Sequence, residues 1–477
     1  MKVRGRIGET HKPFRAAAVE INNLGKAEFI DSLGLRTFAT DSSVKIVIPS
    51  MGDLFNLGSA AIMRAMGWNA EALPVCDREA LDLGRSITTS KECLPIINIV
   101  GELLKYIKYR KNPNEKLIML TVGAGGCCRV GQYDILLKTT IDKLQLENVA
   151  TLSLSNDNGY AGLGLDFRLG MVKAMYAFDV MDDIRSAIKS MAVDRVEGMR
   201  IFNGEIKKIE GSLDKSSKLS FYQQLKKSAQ ELSKIELIRP ITEAKYIGVV
   251  GEIFVRRDHF SLMGIPDMLA ENGFVMLDAP VSEWVRYTDF LRDQKMFEIK
   301  TNFIGSIEAA ASTMIQDHHE KKIKRIFSAT GLYEPEIIDI KKFMAHSKHV
   351  LPYTLTGEPG LSTGASLYHL AEKYCGVLNV GPFGCMNSRM TEAVSTVEMT
   401  VDGKEEAGRL AGYPVDMGYL RDSTDILPFL SVECDGNPFS QIIQARLETF
   451  MLQANRLYEA MQQQKGKSVH KKLIRES

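Results

Sequence analysis

The chain has 477 residues, and 60 Lys+Arg against 59 Asp+Glu leave a formal charge of +1, a balance that excludes nucleic-acid binding through bulk charge. Hydrophobic residues at 45% and charged residues at 25% exclude a disordered or fibrous chain and allow a large core. The length predicts two or three domains of roughly 100 to 200 residues. No apolar run approaches the roughly 18 residues that a membrane-spanning helix needs, so no membrane span is expected. Residues 1–6 lead into polar sequence without an apolar export segment, and a cytoplasmic location is expected.

Residues 44–49 form an apolar run that predicts a strand, followed by the turn Ser50-Met51-Gly52-Asp53 and a helix over 55–66 that Gly67 closes. The same logic predicts strands at 70–75, 116–122 and 149–154 and helices at 94–109 and 130–144. From about residue 163 to 237 the strand signal stops, and Met, Ala, Ile and Leu are interspersed with charges as in long helices. Strands are expected again at 246–250, 274–277, 350–354, 376–380 and 426–432. Asn437 as an N-cap and Pro438 as first helical residue predict an amphipathic closing helix, with a frayed basic tail from Lys465.

Strands alternating with helices predict an α/β protein with two parallel-sheet, flavodoxin-like domains. The expected organisation is an N-terminal α/β domain over 40–160, a helical insertion over 161–240, a second α/β domain over 241–436 and a C-terminal helix and tail over 437–477.

Several common chemistries lack their residues. Gly466-Lys467-Ser468 could end a phosphate loop, but Met461 stands where its first glycine is required. The cluster Gly123-Ala124-Gly125-Gly126 follows a strand, yet the last glycine of a dinucleotide fingerprint would fall on Cys128. No Cys-x-x-Cys or Cys-x-x-His occurs, which excludes a zinc ribbon. His318-His319 reads as solvated helix surface.

Seven cysteines in a chain without an export signal argue against a disulfide framework. Six of them, Cys76, Cys93, Cys127, Cys128, Cys385 and Cys434, are expected where strands give way to helices. In parallel sheets that edge is where ligands bind, and helix N-termini favour thiolates. Cys375 reads instead as a core residue. Thiolates without histidine partners suit iron–sulfur clusters, zinc or cuprous copper, and a centre between the two sheets is compatible with each.

Five motifs in order give these cysteines a context. Lys91-Glu92-Cys93-Leu94-Pro95, Cys128-Arg129-Val130-Gly131-Gln132-Tyr133, Gly251-Glu252-Ile253-Phe254-Val255-Arg256, Gly357-Glu358 and Pro382-Phe383-Gly384-Cys385-Met386 together resemble the superfamily of 2-hydroxyacyl-CoA dehydratase and benzoyl-CoA reductase subunits. The likeness covers most of residues 44–455 and is nearest to the cluster-bearing region of large activase-related proteins and to double-cubane cluster proteins. It implies a 4Fe-4S cluster on Cys93, Cys128 and Cys385; adding Cys76, Cys127 and Cys434 would supply six thiolates and permit an 8Fe-9S double cubane. It implies electrons from a separate homodimeric iron–sulfur activator ATPase and a small substrate such as a CoA thioester. The protein would then reduce or dehydrate that substrate, or carry electrons to a partner enzyme, within an oligomer of like or unlike subunits. Glu92, Glu358 and Arg129 are the implied candidates for proton transfer and anion binding, with Gly126 and Gly384 shaping the cofactor turns. At 126–128 the sequence departs from the family, which more often carries proline ahead of the cysteine.

Overall fold

The computed structural model describes residues 14–22, 26–89, 91–123, 128–154, 164–294, 296, 303–421 and 424–476. Three short strands open the chain, β1 (Ala18–Ile21), β2 (Ala27–Ile30) and β3 (Arg36–Phe38), paired as an antiparallel meander that sequence patterning did not predict. Then follow β4 (Val44–Ile48), α1 (Asp53–Ala65), β5 (Asn69–Ala72), α2 (Arg78–Ile87), α3 (Leu94–Tyr109), β6 (Lys116–Val122), a 3-10 turn at Arg129–Gln132, α4 (Tyr133–Lys143) and β7 (Val149–Leu154). The four strands β4 to β7 form a parallel sheet in the order β5-β4-β6-β7. Helices cover both faces, and strands buried on both faces read as continuous apolar runs; Ile46, Val47, Ile118 and Met119 are fully buried.

The helical segment consists of α5 (Gly164–Met191), α6 (Arg195–Leu213) and α7 (Phe221–Leu232). The second half comprises β8 (Lys245–Gly251), α8 (Ile265–Glu271), β9 (Phe274–Asp278), α9 (Val281–Asp293), α10 (Phe303–Ser328), α11 (Ile340–Ser347), α12 (Glu358–His369), β10 (Tyr374–Pro382), α13 (Met386–Glu398), α14 (Val401–Ala411), β11 (Phe429–Cys434) and α15 (Gln441–Glu476). Its parallel sheet runs β11-β10-β8-β9. Read from the other edge, this is the same order as in the first sheet: the first strand lies inside the second, and the third lies on its other side. The protein is therefore α/β with two flavodoxin-like sheets, and each has its topological switch point between first and third strand, at β4/β6 and at β8/β10. Crevices outside the carboxyl ends of such strand pairs bind ligands in open α/β sheets.

The two halves interlock. Phe254, from the loop after β8, is buried in the apolar cluster of the first sheet beside Val47, Cys93 and Ile96. In return Leu81 of α2 and Leu94 of α3 join the cluster of the second sheet. Helix α5 spans both: Phe178 packs on Gly58 of α1, and Ser186 Oγ accepts from Met276 N of β9 at 2.8 Å. Among the described residues no helix is long and apolar enough to cross a membrane.

Some local expectations fail for identifiable reasons. Residues 350–354 form a turn rather than a strand, because Pro352 donates no ladder hydrogen bond and its carbonyl accepts from Leu355 N at 2.9 Å. The closing helix starts at Gln441, not Pro438: Asn437 is held by Asp435 and Arg85, and Ser440 O accepts the first helical bond from Gln444 N. Its backbone stays helical to Glu476, through the stretch expected to fray. His319 is half-buried and stacks on Tyr222 instead of lying free on the surface.

Candidate metal centre

The carboxyl end of β8 builds the floor of the cleft between the sheets. Gly251 has φ +107, and a Cβ there would stand 2.1 Å from Val380 O, so only glycine lets β8 turn away while pressed against β10. The chain then caps itself: Glu252 accepts from the N–H groups of Phe254 at 3.1 Å and Val255 at 2.8 Å. Arg256, 1% exposed, donates Nη1 to Gly251 O at 2.6 Å, while its Nε and Nη2 have no partner among the described residues. Glu358 enters from the first turn of α12, where Gly357 at φ +118 meets Asn387 Oδ1 closely. Its Oε1 accepts from Ile253 N at 3.1 Å and lies 3.9 Å from Arg256 Nη1.

Ion pairs fix this loop to the first half. Arg257, 2% exposed, binds Asp182 at 2.6 Å and Asp179 at 3.2 Å on α5. Arg185 binds Asp53 at the start of α1 at 2.6 Å and also pairs with Asp182. Removing one partner of such a buried set costs on the order of 3 to 5 kcal/mol, because it leaves an uncompensated charge. A network of this kind sets the geometry of the cleft rather than its stability alone.

Three cysteines at three helix starts feel the charge of Glu252, and Cys128 and Cys385 feel that of Glu358 as well. Cys93 is the N-cap of α3, Cys128 the N-cap of the 3-10 turn before α4, and Cys385 the N-cap of α13. All three have extended backbone at the cap (φ −78, −72 and −67) and close no side-chain cap bond. Cys128 follows β6 and Cys385 follows β10, so the switch points of both sheets each contribute a thiol. The Arg129 guanidinium bonds Lys91 O at 2.6 Å, tying the Cys128 turn to the one that carries Cys93.

Helix N-termini were expected to lower the thiol pKa values, and here that effect is present but overruled. Cys385, half-buried, is pushed up to about 12 by desolvation, with Glu252 and Glu358 adding to it and the N–H of Ser388 opposing it; Cys128 is exposed at its surface yet is shifted the same way, by desolvation of its sulfur side and by Glu358 and Glu252. Cys93 is also pushed up by burial, although it shares a hydrogen bond with the Tyr133 hydroxyl at 2.9 Å. These thiols hold their protons at neutral pH, so a metal would have to displace them on binding.

The carboxylates are perturbed by the same burial. Glu252 is raised, and Glu358 is pushed up to about 8 by burial and by the like charge of Glu252, with Arg256 pulling the other way. Glu358 is therefore a neutral acid near pH 7 that can hold and release a proton.

The other sequence candidates divide. Cys434 ends β11 and is buried, with Glu252 and Asp258 as charged neighbours; Cys76 lies one residue before the α2 cap Asp77, shares Asp258 and faces Glu102. Cys76 was expected at a strand end, but Pro74 follows β5 closely and leaves it in the loop. Cys127 and Gly126 lie outside the described residues. Gly384, at φ +68, makes the turn into α13, and Glu433 Oε1 accepts from its N–H at 3.0 Å. Glu92 accepts from the Thr89 hydroxyl at 2.8 Å and is held below the usual carboxylate range by that bond despite partial burial, which marks it as a loop cap. Cys375 lies inside β10, 1% exposed, donating to Tyr246 O at 3.2 Å. Sequence reading passed over Tyr133, which was part of the second motif and is the direct partner of Cys93.

Among the described residues no three His, Cys, Asp or Glu side chains are grouped so as to hold a metal ion as they stand. What suits a soft metal is the donor set: sulfur from three separate turns, with no imidazole beside it. Comparison with protein-family models finds no match for the chain, and comparison with curated proteins finds none either.

Proposed function

We propose that this cleft holds an iron–sulfur cluster and that the protein is the electron-accepting component of an ATP-driven reductase or dehydratase, fed by a separate activator ATPase and acting on a small substrate such as a CoA thioester. The observation that carries the reading is the convergence of two switch points, each with a helix-capping thiol, on the half-buried Glu252 and the buried Glu358. Cys93, Cys128 and Cys385 would hold the cluster; Cys434, Cys76 and Cys127 are the reserve for a larger one. A cluster bound there would supply single electrons at low potential.

The remaining chemistry falls to the chain itself. Removing a hydroxyl as water needs a proton, and Glu358 carries one near neutral pH. Arg256 stands 3.9 Å from that carboxyl and stabilises the anion left when the proton departs. Glu252 spends its oxygens on the 254–255 turn, which makes it a positioning residue. Electron entry from a protein partner is favoured where Phe383 and Met386, 65% and 43% exposed, flank Cys385 with apolar surface. The same surface fits the second reading, in which the cluster passes electrons on to a partner enzyme without turning over a substrate.

Anaerobic isolation followed by iron and acid-labile sulfide analysis and a paramagnetic-resonance spectrum tests the reading. Iron and sulfide in equal amounts with a reducible cluster signal support it; zinc with no sulfide removes it. Turnover of an acyl-CoA by reduced protein with its ATPase and ATP separates the catalytic reading from the carrier.

A further inference from the structure

A cavity of about 70 Å³ lies between α5, the end of β9 and residues 331–338, with no cysteine in its wall. We propose that this cavity binds a small organic cation carrying protonated amines. The decisive group is Glu283 of α9: it is 5% exposed, lines the cavity, and its carboxylate has no hydrogen bond or ion pair among the described residues. A buried carboxylate without a partner is costly, and a cationic ligand is what would satisfy it.

Two further acids, half-buried, stand on other walls. Asp183 of α5 and Asp278 at the end of β9 line the same cavity without a side-chain hydrogen bond, and Asp278 Oδ1 is buried and unsatisfied. The cations in the wall are already engaged. Lys324 donates to Glu320 at 2.7 Å and to Glu336 O, and Lys373 donates to Glu336 at 2.6 Å. His369 is kept neutral by burial. Counting the wall, Asp183, Asp278, Glu283, Glu334 and Glu336 stand against Lys324 and Lys373, which is 5 − 2 = 3 negative charges in excess when all are ionised. Arg256 lowers Glu283 and Asp278 by its charge and Arg257 lowers Asp278, but neither forms an ion pair with these acids among the described residues, and Arg257 is committed to Asp179 and Asp182.

Burial pushes Asp183 up to about 8 and both Asp278 and Glu283 up to about 7. The ligand class follows from geometry. No three of these acids are grouped to hold a metal ion, so the charge on the ligand must be spread over more than one point. Tyr246, Tyr333 and Tyr374 add aromatic wall, which suits ammonium groups. At roughly 10 to 15 Å³ per water-sized group, the volume admits on the order of five non-hydrogen atoms, the size of a short diamine.

Calorimetric titration of the full-length protein with putrescine tests this, with butane-1,4-diol as its uncharged counterpart and Mg²⁺ as a metal control. Saturable binding of putrescine but not of the diol, weakened at least tenfold by Glu283→Gln with an unchanged circular dichroism spectrum, is expected. Should Glu283→Gln fail to fold, Asp278→Asn carries the same expectation. Absence of saturable putrescine binding, equal binding of the diol, binding of Mg²⁺ in its place, or undiminished affinity in the folded variant would each overturn the assignment.

Discussion

Glu358→Gln is the most direct probe of the carboxylate in the cleft. Glutamine keeps the oxygen that accepts from Ile253 N and removes only the titration. The folded-state pKa is raised from the ordinary 4.5 to about 8. Below pH 4.5 the group is protonated in both states and its contribution is at its most favourable. As pH rises the unfolded chain ionises first and is stabilised, so the wild type loses about 1.4 kcal/mol per pH unit until the folded pKa is passed. Between pH 5 and pH 8 that amounts to about 4 kcal/mol, and the variant does not suffer it. The stability difference, variant minus wild type, must therefore grow in favour of the variant over this window. Urea unfolding at four pH values measures it, followed by the fluorescence of Trp68 and Trp284, one in each half of the chain. A difference that stays constant within about 0.5 kcal/mol from pH 5 to 8 would mean that Glu358 is ionised in the folded protein near neutrality. The role given to it as proton donor would then be lost.

Three further outcomes are expected. Cys93→Ala, Cys128→Ala and Cys385→Ala each strip most of the bound iron from anaerobically isolated protein, whereas Cys375→Ala, inside β10, leaves it; iron that survives all three of the former sinks the ligand assignment. In metal-free protein the alkylation of Cys128 by iodoacetamide climbs with a midpoint above the ordinary 9.0, because desolvation and the charges of Glu358 and Glu252 outweigh the helix N-terminus although the residue is exposed; a midpoint at or below 9 refutes that balance. Gly251→Ala forces a methyl to 2.1 Å from Val380 O at a φ that side chains avoid, and it should cost about 3 kcal/mol or more; a melting temperature within about 2 °C of wild type would contradict the packing described.

The two sheets are legible because strands buried on both faces, such as 44–48 and 116–122, cannot hide their apolar runs, and helices must lie between them. The antiparallel meander is not, since β1 and β3 are short and partly exposed and carry little patterning. Boundaries drift where a proline or a competing side-chain bond decides, as at Pro352 and at Asn437. For the site, glycine, carboxylate and thiol could each be marked by position, yet their relation could not. That the turn after β8 enters the other half's core through Phe254 depends on contacts between residues some two hundred positions apart, which no local pattern encodes. The pKa balance is equally non-local: sequence places Cys128 and Cys385 at helix starts, where thiolates are favoured, and only the assembled fold supplies the desolvation that reverses the sign, with Glu252 and Glu358 adding to it. That reversal gives the cleft its chemical logic. On the proposed reading, thiols that stay protonated until metal arrives, beside an acid that stays neutral until charge develops, would organise the cleft around the entry of positive charge. The same imbalance recurs at Glu283, whose field also raises Glu358. A cation beside Glu283 would cancel that field and make the Glu358 proton easier to release, so occupancy of the cavity and the acidity of the cleft are coupled through a single carboxylate.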